Sequence, residues 1–343
     1  MITIKPLFVV AAIGTSLLSA AFFHTSAAEV NVYSARKEAL IKPILDKFTA
    51  TTNIQVNLVT GKADALISRL SSEGTLSPAD VIITTDVGRL YRAKSQGLLQ
   101  AYQSDTLITA IPANYRDNDN QWFGLTLRAR PIMYVPTRIK PEELSTMENL
   151  ADKKWAGRIC IRSSNNIYNQ SMVAVMLAQE SHTNVQNWAN GLVKNMARPP
   201  KGGDRDQIKA AVAGVCDIAV ANTYYLAGML NDTDSKNHSI AKQIKVFWPN
   251  QSGRGAHVNI SGAAITKSAP NQAEAQQLID FMVTKEVQQW YAQTNHEYPV
   301  VEGVEWSETL SSFGKFKAEN VDLYKVGDFN AKAVQLMDRA GWK

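Results

Sequence analysis

Tyr168, Tyr224 and Tyr225 are the side chains whose type and placement suggest chemistry in this 343-residue sequence. Tyr168 follows the polar run Ser163-Ser164-Asn165-Asn166-Ile167, and Tyr224-Tyr225 follows Asn222-Thr223. In each case an apolar, strand-like run precedes (158–162 and 217–221) and a helix-like run follows, with capping residues at the junction. Ligands of open α/β sheets sit where strand ends lead into helix starts, so three phenols are expected along one edge. A phenol titrates near 10 and has no reason to ionise in a polar cleft unless a cation makes the phenolate favourable. A hard trivalent ion does so, because three phenolates cancel its charge. Tyrosines also serve at helix starts simply because ring and hydroxyl satisfy two environments. Spacing alone leaves both readings open.

The elements that must position these phenols alternate along the chain. Strand patterns at 29–34, 54–59 and 79–85 alternate with helical patterns at 37–51, 63–72 and 87–95, a βαβαβα order that predicts a mostly parallel sheet flanked by helices. A second α/β unit follows, with strands at 158–162 and 217–221 and helices at 168–179, 206–213 and from about Tyr224. Residues 124–135 form an extended apolar stretch broken only by Arg128 and Arg130, and another strand pattern, 258–265, returns before the helical run 271–294. A chain that leaves one lobe, builds a second and comes back has the two-crossover hinge needed to open and close on a ligand. The expected division is a first lobe of 29–128 plus 255–302 and a second of 129–254 plus 303–343, which carries the tyrosines.

Lys5, the apolar stretch 6–23 and the small residues Ser26, Ala27 and Ala28 have the three parts of a secretory signal peptide, predicting cleavage after Ala28 and a mature protein outside the cytoplasm. Cys160 and Cys216 are the only cysteines, and in an oxidising compartment such a pair is read first as one disulfide, with two buried thiols as the other possibility. The net charge of +5 comes from interspersed acidic and basic residues with no basic run, so no nucleic-acid partner is expected. Nucleophile-elbow, Walker and zinc-protease motifs are absent, as are paired catalytic carboxylates, which speaks against an enzyme. The histidines at 24, 182, 238, 257 and 296 lack metal spacing.

Three segments resemble the periplasmic ferric-ion-binding proteins of bacterial ABC importers, often called bacterial transferrins. They are Asn31-Val32-Tyr33-Ser34-Ala35-Arg36, the block from Arg162 through Tyr168-Asn169-Gln170, and Ala221-Asn222-Thr223-Tyr224-Tyr225. The resemblance implies a type II solute-binding fold in which Fe3+ lies between the lobes on Tyr168, Tyr224 and Tyr225, and delivery to an inner-membrane permease by a monomer. Many relatives carry a histidine, with or without another tyrosine, just after the arginine of the first segment. Lys37 and Glu38 stand there in this chain, which implies the subgroup that completes the shell with a synergistic anion such as carbonate or bicarbonate. Arginine's planar fork suits that anion, and Arg36 and Arg130 are the expected holders. Tyr33, Asn165 and Asn222 are candidates for the surrounding shell. Within the same fold, the alternative cargo is an oxyanion, a phosphonate or a polyamine.

Overall fold

Residues 2–3 and 28–343 are described by a computed structural model. The expected signal peptide, 1–28, falls almost wholly outside the described residues. Among those described, no helix is long and apolar enough to cross a membrane.

Alternation of side chains along the first strand buries Val30 and Val32 on the core face. This strand, β1 (Glu29–Ser34), belongs with β2 (Gln55–Thr60), β3 (Val81–Thr85), β4 (Phe123–Ala129), β9 (Val258–Ile265) and β10 (Tyr298–Pro299) to a six-stranded sheet ordered β10-β4-β9-β3-β1-β2. The other four strands, β5 (Ile132–Tyr134), β6 (Ile159–Cys160), β7 (Ile218–Val220) and β8 (Lys245–Phe247), form a second sheet ordered β6-β7-β5-β8. Both sheets are mixed. Parallel pairing is confined to β1 with β2 and β3, and to β6 with β7; the remaining pairs are antiparallel. The balance differs from the mostly parallel expectation because β4, β5 and β9, the strands on the crossing segments, insert into the sheets antiparallel to their neighbours.

The chain crosses from β4 through Arg130 and Pro131 into β5, and returns between β8 and β9. The crossings touch where the Arg130 amide donates to the His257 carbonyl at 3.0 Å. β9 is buried along all eight residues, as a strand covered on both faces must be. Its Gly262 lies opposite Gly124 of β4, where an added Cβ would sit 2.6 Å from the Phe123 carbonyl oxygen. Just beyond that pair the register slips, and Thr126 then faces Ser261. The helix Val326–Arg339 packs on Ile167–Gln179 of the second unit and also touches Val87–Ser95 of the first.

The strand expected over 158–162 shrinks to Ile159–Cys160 because its partner β7 is only three residues long. Cys160 and Cys216 form a disulfide with their Cα atoms 5.9 Å apart, tying β6 to the entry of β7. The bridge spans a sequence separation of 56, a loop for which chain-entropy reasoning gives about 4 kcal/mol. Replacing both cysteines by alanine is expected to cost about 3–4 kcal/mol, read as a lower urea midpoint of unfolding than the oxidised parent.

Candidate metal centre

The two tyrosine-bearing loops meet as their spacing predicts. Tyr168 is the second residue of Ile167–Gln179, whose cap is Asn166: the Asn166 side chain accepts from the Tyr168 amide at 3.1 Å. Tyr224 and Tyr225 stand in the first turn of Thr223–Leu230, with ring centroids 4.4 Å apart. All three tyrosines line one cavity of about 410 Å³ between the two sheets, together with Arg36, Lys37, Thr85, Arg128, Arg205 and Glu297. Each keeps part of its ring surface open to that space.

Arg128 dominates the electrostatics. It stands near the end of β4, only 5% exposed, with its guanidinium carbon 4.9 Å from the Tyr168 ring centroid and 4.3 Å from that of Tyr224. Its only hydrogen-bond acceptor among the described residues is the Tyr168 hydroxyl, at 3.4 Å. Burial pushes the Tyr168 phenol up, but the Arg128 charge and hydrogen bonding to Tyr224 and Arg128 outweigh it and bring the group down to about 8. Tyr224 goes the other way: burial raises it well above its ordinary value, the Arg128 charge offsets only part of that, and its phenol neighbours add to the rise. Tyr225 is also raised, by burial and by the nearby Tyr168 and Asp204. One phenol is thus primed to lose its proton, and the other two need a cation in the proton's place.

Arg130 does not reach the cavity. Its guanidinium is 1% exposed and committed to the second lobe, donating to Asp204 (2.8 Å), Asn222 (3.0 Å), Asn169 (2.7 Å) and the Val220 carbonyl (3.2 Å). Both terminal nitrogens are taken up by those acceptors, and its Nε is buried away from the cavity without a partner among the described residues; Arg128, two residues earlier, points into the space instead. Arg36 does line the cavity, but both its terminal nitrogens donate to Glu297, at 3.2 and 2.6 Å. Tyr33 is buried elsewhere, its hydroxyl donating to Glu73 at 2.9 Å. Asn165 is exposed and does not line the cavity.

Asn222 is the surrounding-shell residue the tyrosine motif suggests, though not as a helix cap. Its carbonyl oxygen accepts from Arg130, which forces its amide nitrogen toward the Tyr224 hydroxyl at 3.1 Å. That donor stabilises a phenolate. Asp204 anchors the chain from behind, accepting from Arg162 at 2.7 Å as well as from Arg130. Glu297 and Arg205 escaped sequence reasoning: nothing in their local sequence marks them, and both reach the cleft from segments distant in the chain. Among the described residues no group of three or more His, Cys, Asp or Glu could hold a metal, whereas three tyrosines share this cavity.

Two mixed sheets crossed twice by the chain, with a polar cleft between them, define a type II periplasmic-binding-protein architecture. The chain belongs to the bacterial extracellular solute-binding protein family, whose profile matches residues 77–319. It is 47% identical over 315 residues to iron uptake protein A1 of Synechocystis, covering 92% of this chain and 88% of that one. Its fold is similar to that of a Trichodesmium protein (IdiA, FutA) in complex with iron and citrate ligands, with a TM-score of 0.90 and 46% identity over 92% of this chain and 100% of that one. The ferric binding protein from Campylobacter jejuni is similar at a TM-score of 0.87 and 39% identity, with 92% and 100% covered.

In the metal-free protein, one of the 11 tyrosines should ionise near pH 8, visible as a phenolate step in ultraviolet difference absorbance. Arg128→Met should move that step up by about one pH unit or more.

Proposed function

We propose that this protein is a carrier, not an enzyme: it captures ferric iron in the periplasm on Tyr168, Tyr224 and Tyr225 and delivers it to an ABC-type permease. The observation that carries this reading is the gathering of three phenols from two helix starts in one cleft beside a buried, under-bonded guanidinium. The names of the similar proteins, an iron uptake protein and a ferric binding protein, agree with it. Secretion by removal of 1–28 would put the protein in an oxidising compartment where its disulfide persists.

Three phenolates neutralise Fe3+ and fill three of roughly six coordination positions. The rest fall to exogenous ligands, with carbonate or bicarbonate as the synergistic anion. Arg128 is its principal holder, since its donors are not consumed by protein acceptors, and Arg36 assists from the wall behind. Asn222 and Arg128 each direct a donor at a phenol oxygen: Tyr168 is brought toward ionisation before the metal arrives, and the Asn222 donor supports the Tyr224 phenolate once the metal has displaced its proton.

Iron binding displaces phenol protons. Affinity therefore rises with pH, and acidification drives release. The lobes, 29–128 with 255–302 and 129–254 with 303–343, would close about the two crossings and bury the ion from water. The closed form would be the one the permease accepts, and reopening would present the phenolates to protons again.

Adding ferric nitrilotriacetate and bicarbonate to the metal-free protein should produce a visible phenolate-to-iron charge-transfer band that fades as the pH is lowered. The Tyr168→Phe, Tyr224→Phe, Tyr225→Phe triple variant should stay colourless; a band of undiminished intensity in it would overturn the assignment of these ligands.

A further inference from the structure

Across the cleft from the phenols lies a carboxylate that the tyrosine site does not use. Glu297 is 4% exposed and enters the cleft directly after His296, whose left-handed backbone (φ 53°) ends the preceding helical turn. Five donors surround it. The two terminal nitrogens of Arg36 reach its two oxygens, the Ser261 hydroxyl donates at 3.1 Å, the Thr126 hydroxyl donates to the same oxygen, and Nε of Arg128 lies 3.6 Å away. Thr126 and Ser261 stand opposite each other on β4 and β9, so the register of the sheet itself builds the cradle. Burial pushes the Glu297 carboxyl up, yet Arg36 and Arg128 hold it below its ordinary value, so it is an anion.

A buried carboxylate between two guanidiniums leaves one positive charge unmatched, and the geometry says where that charge faces. Arg36 is engaged by both carboxylate oxygens, whereas Arg128 is beyond hydrogen-bond reach of Glu297 and turns its fork to the phenols. Behind Tyr224, Arg130 and Arg162 share Asp204; the charge left over there falls to Arg162, whose side chain is 22% exposed and so screened by water, and neither arginine lines the cavity. Lys37 and Arg205 line the mouth but are exposed, so water and salt screen them. Asp86 is another buried acid near this wall; burial raises its carboxyl, and it accepts from the Ser171 hydroxyl, the Gly88 amide and the Asn259 side-chain nitrogen.

We propose that Glu297 is the built-in counter-anion of the cleft and sets which exogenous anion the cleft accepts with its metal. The inference rests on the ferric reading above. Fe3+ with three phenolates carries no net charge, so the surplus on Arg36, Arg128 and Glu297 is matched by a single negative charge. A bidentate monoanion such as bicarbonate balances the site, and a dianion leaves it one charge over. Buried charges interact strongly because little water screens them, so the surplus discriminates between anions in a way surface charge would not. Glu297 is thus a specificity-determining residue that touches neither metal nor anion.

The test titrates the iron-loaded protein near neutral pH with bicarbonate and, separately, with oxalate, reading each affinity from the change in the charge-transfer band. Glu297→Gln keeps the shape and removes the charge, and should raise the oxalate-to-bicarbonate affinity ratio by about tenfold or more. Glu297→Asp keeps the charge on a shorter arm, and should leave the ratio within about threefold of the parent. A ratio unmoved in the Gln variant, or moved equally in the Asp variant, overturns the proposal. Should Glu297→Gln not fold, Arg36→Gln provides the opposite case: it removes a positive charge, so the ratio should fall by about tenfold, and an unchanged ratio overturns the proposal. A parent protein that develops no band with either anion overturns the ferric reading itself, whereas a normal band with an unmoved ratio overturns only the role of Glu297.

Discussion

A guanidinium buried with too few hydrogen-bond partners is costly, and the Arg128 side chain is in that position near the end of β4. Two features compensate. The faces of the Tyr168 and Tyr224 rings lie against it, and the Glu297 carboxylate lies within Coulombic range behind it. These contacts account for most of the chemistry in the cleft. The same positive charge pulls the Tyr168 phenol toward ionisation, keeps Glu297 ionised despite burial, and leaves unused donors facing the space where an anion would lie. Removing it would also leave Glu297 dependent on Arg36 alone, so one residue couples the two lobes electrostatically.

The phenols themselves are held by rigid elements. Tyr168, Tyr224 and Tyr225 project from the first turns of helices, and their hydroxyls are aimed by packing and by partners whose own orientations are determined. Asn222 illustrates the rule. Its amide could face either way, but Arg130 donates to one end, so the other end must donate to Tyr224. Arg130 in turn is held by Asp204, which Arg162 shares. A charge relay of this kind lies behind the site and not in it, which is why Arg130, despite its place in the crossing segment, orients the partner of Tyr224 without offering donors to the cleft.

The hinge and the site are built from the same few residues. Arg128 and Arg130 are two apart at the first crossing, one directed into the cleft and the other anchored in the second lobe, while the Arg130 amide joins the two crossings through His257. Rotation about these segments would carry the phenols relative to Arg128 and Glu297. Any metal or anion held there would therefore be linked to lobe position through one set of charges.

Local sequence determined the elements and the placing of the three tyrosines proposed as metal ligands. Strand alternation and helical spacing are short-range properties, so β1, β9 and Val87–Ser95 fall where their patterns place them. The tyrosines sit beside capping residues at helix starts for the same reason, and the pairing of the only two cysteines required only that adjacent strands bring them close. Tertiary structure alone decided how the charges were shared. Arg128 and Arg130 have the same side chain and nearly the same sequence surroundings, yet one faces the cleft and the other has both terminal nitrogens bound by acceptors 39 to 92 positions away. Glu297 meets Arg36 across a separation of 261 residues. Pairings at that range depend on which strands become neighbours, and the mixed order β10-β4-β9-β3-β1-β2 is not encoded in any window of sequence short enough to show a period.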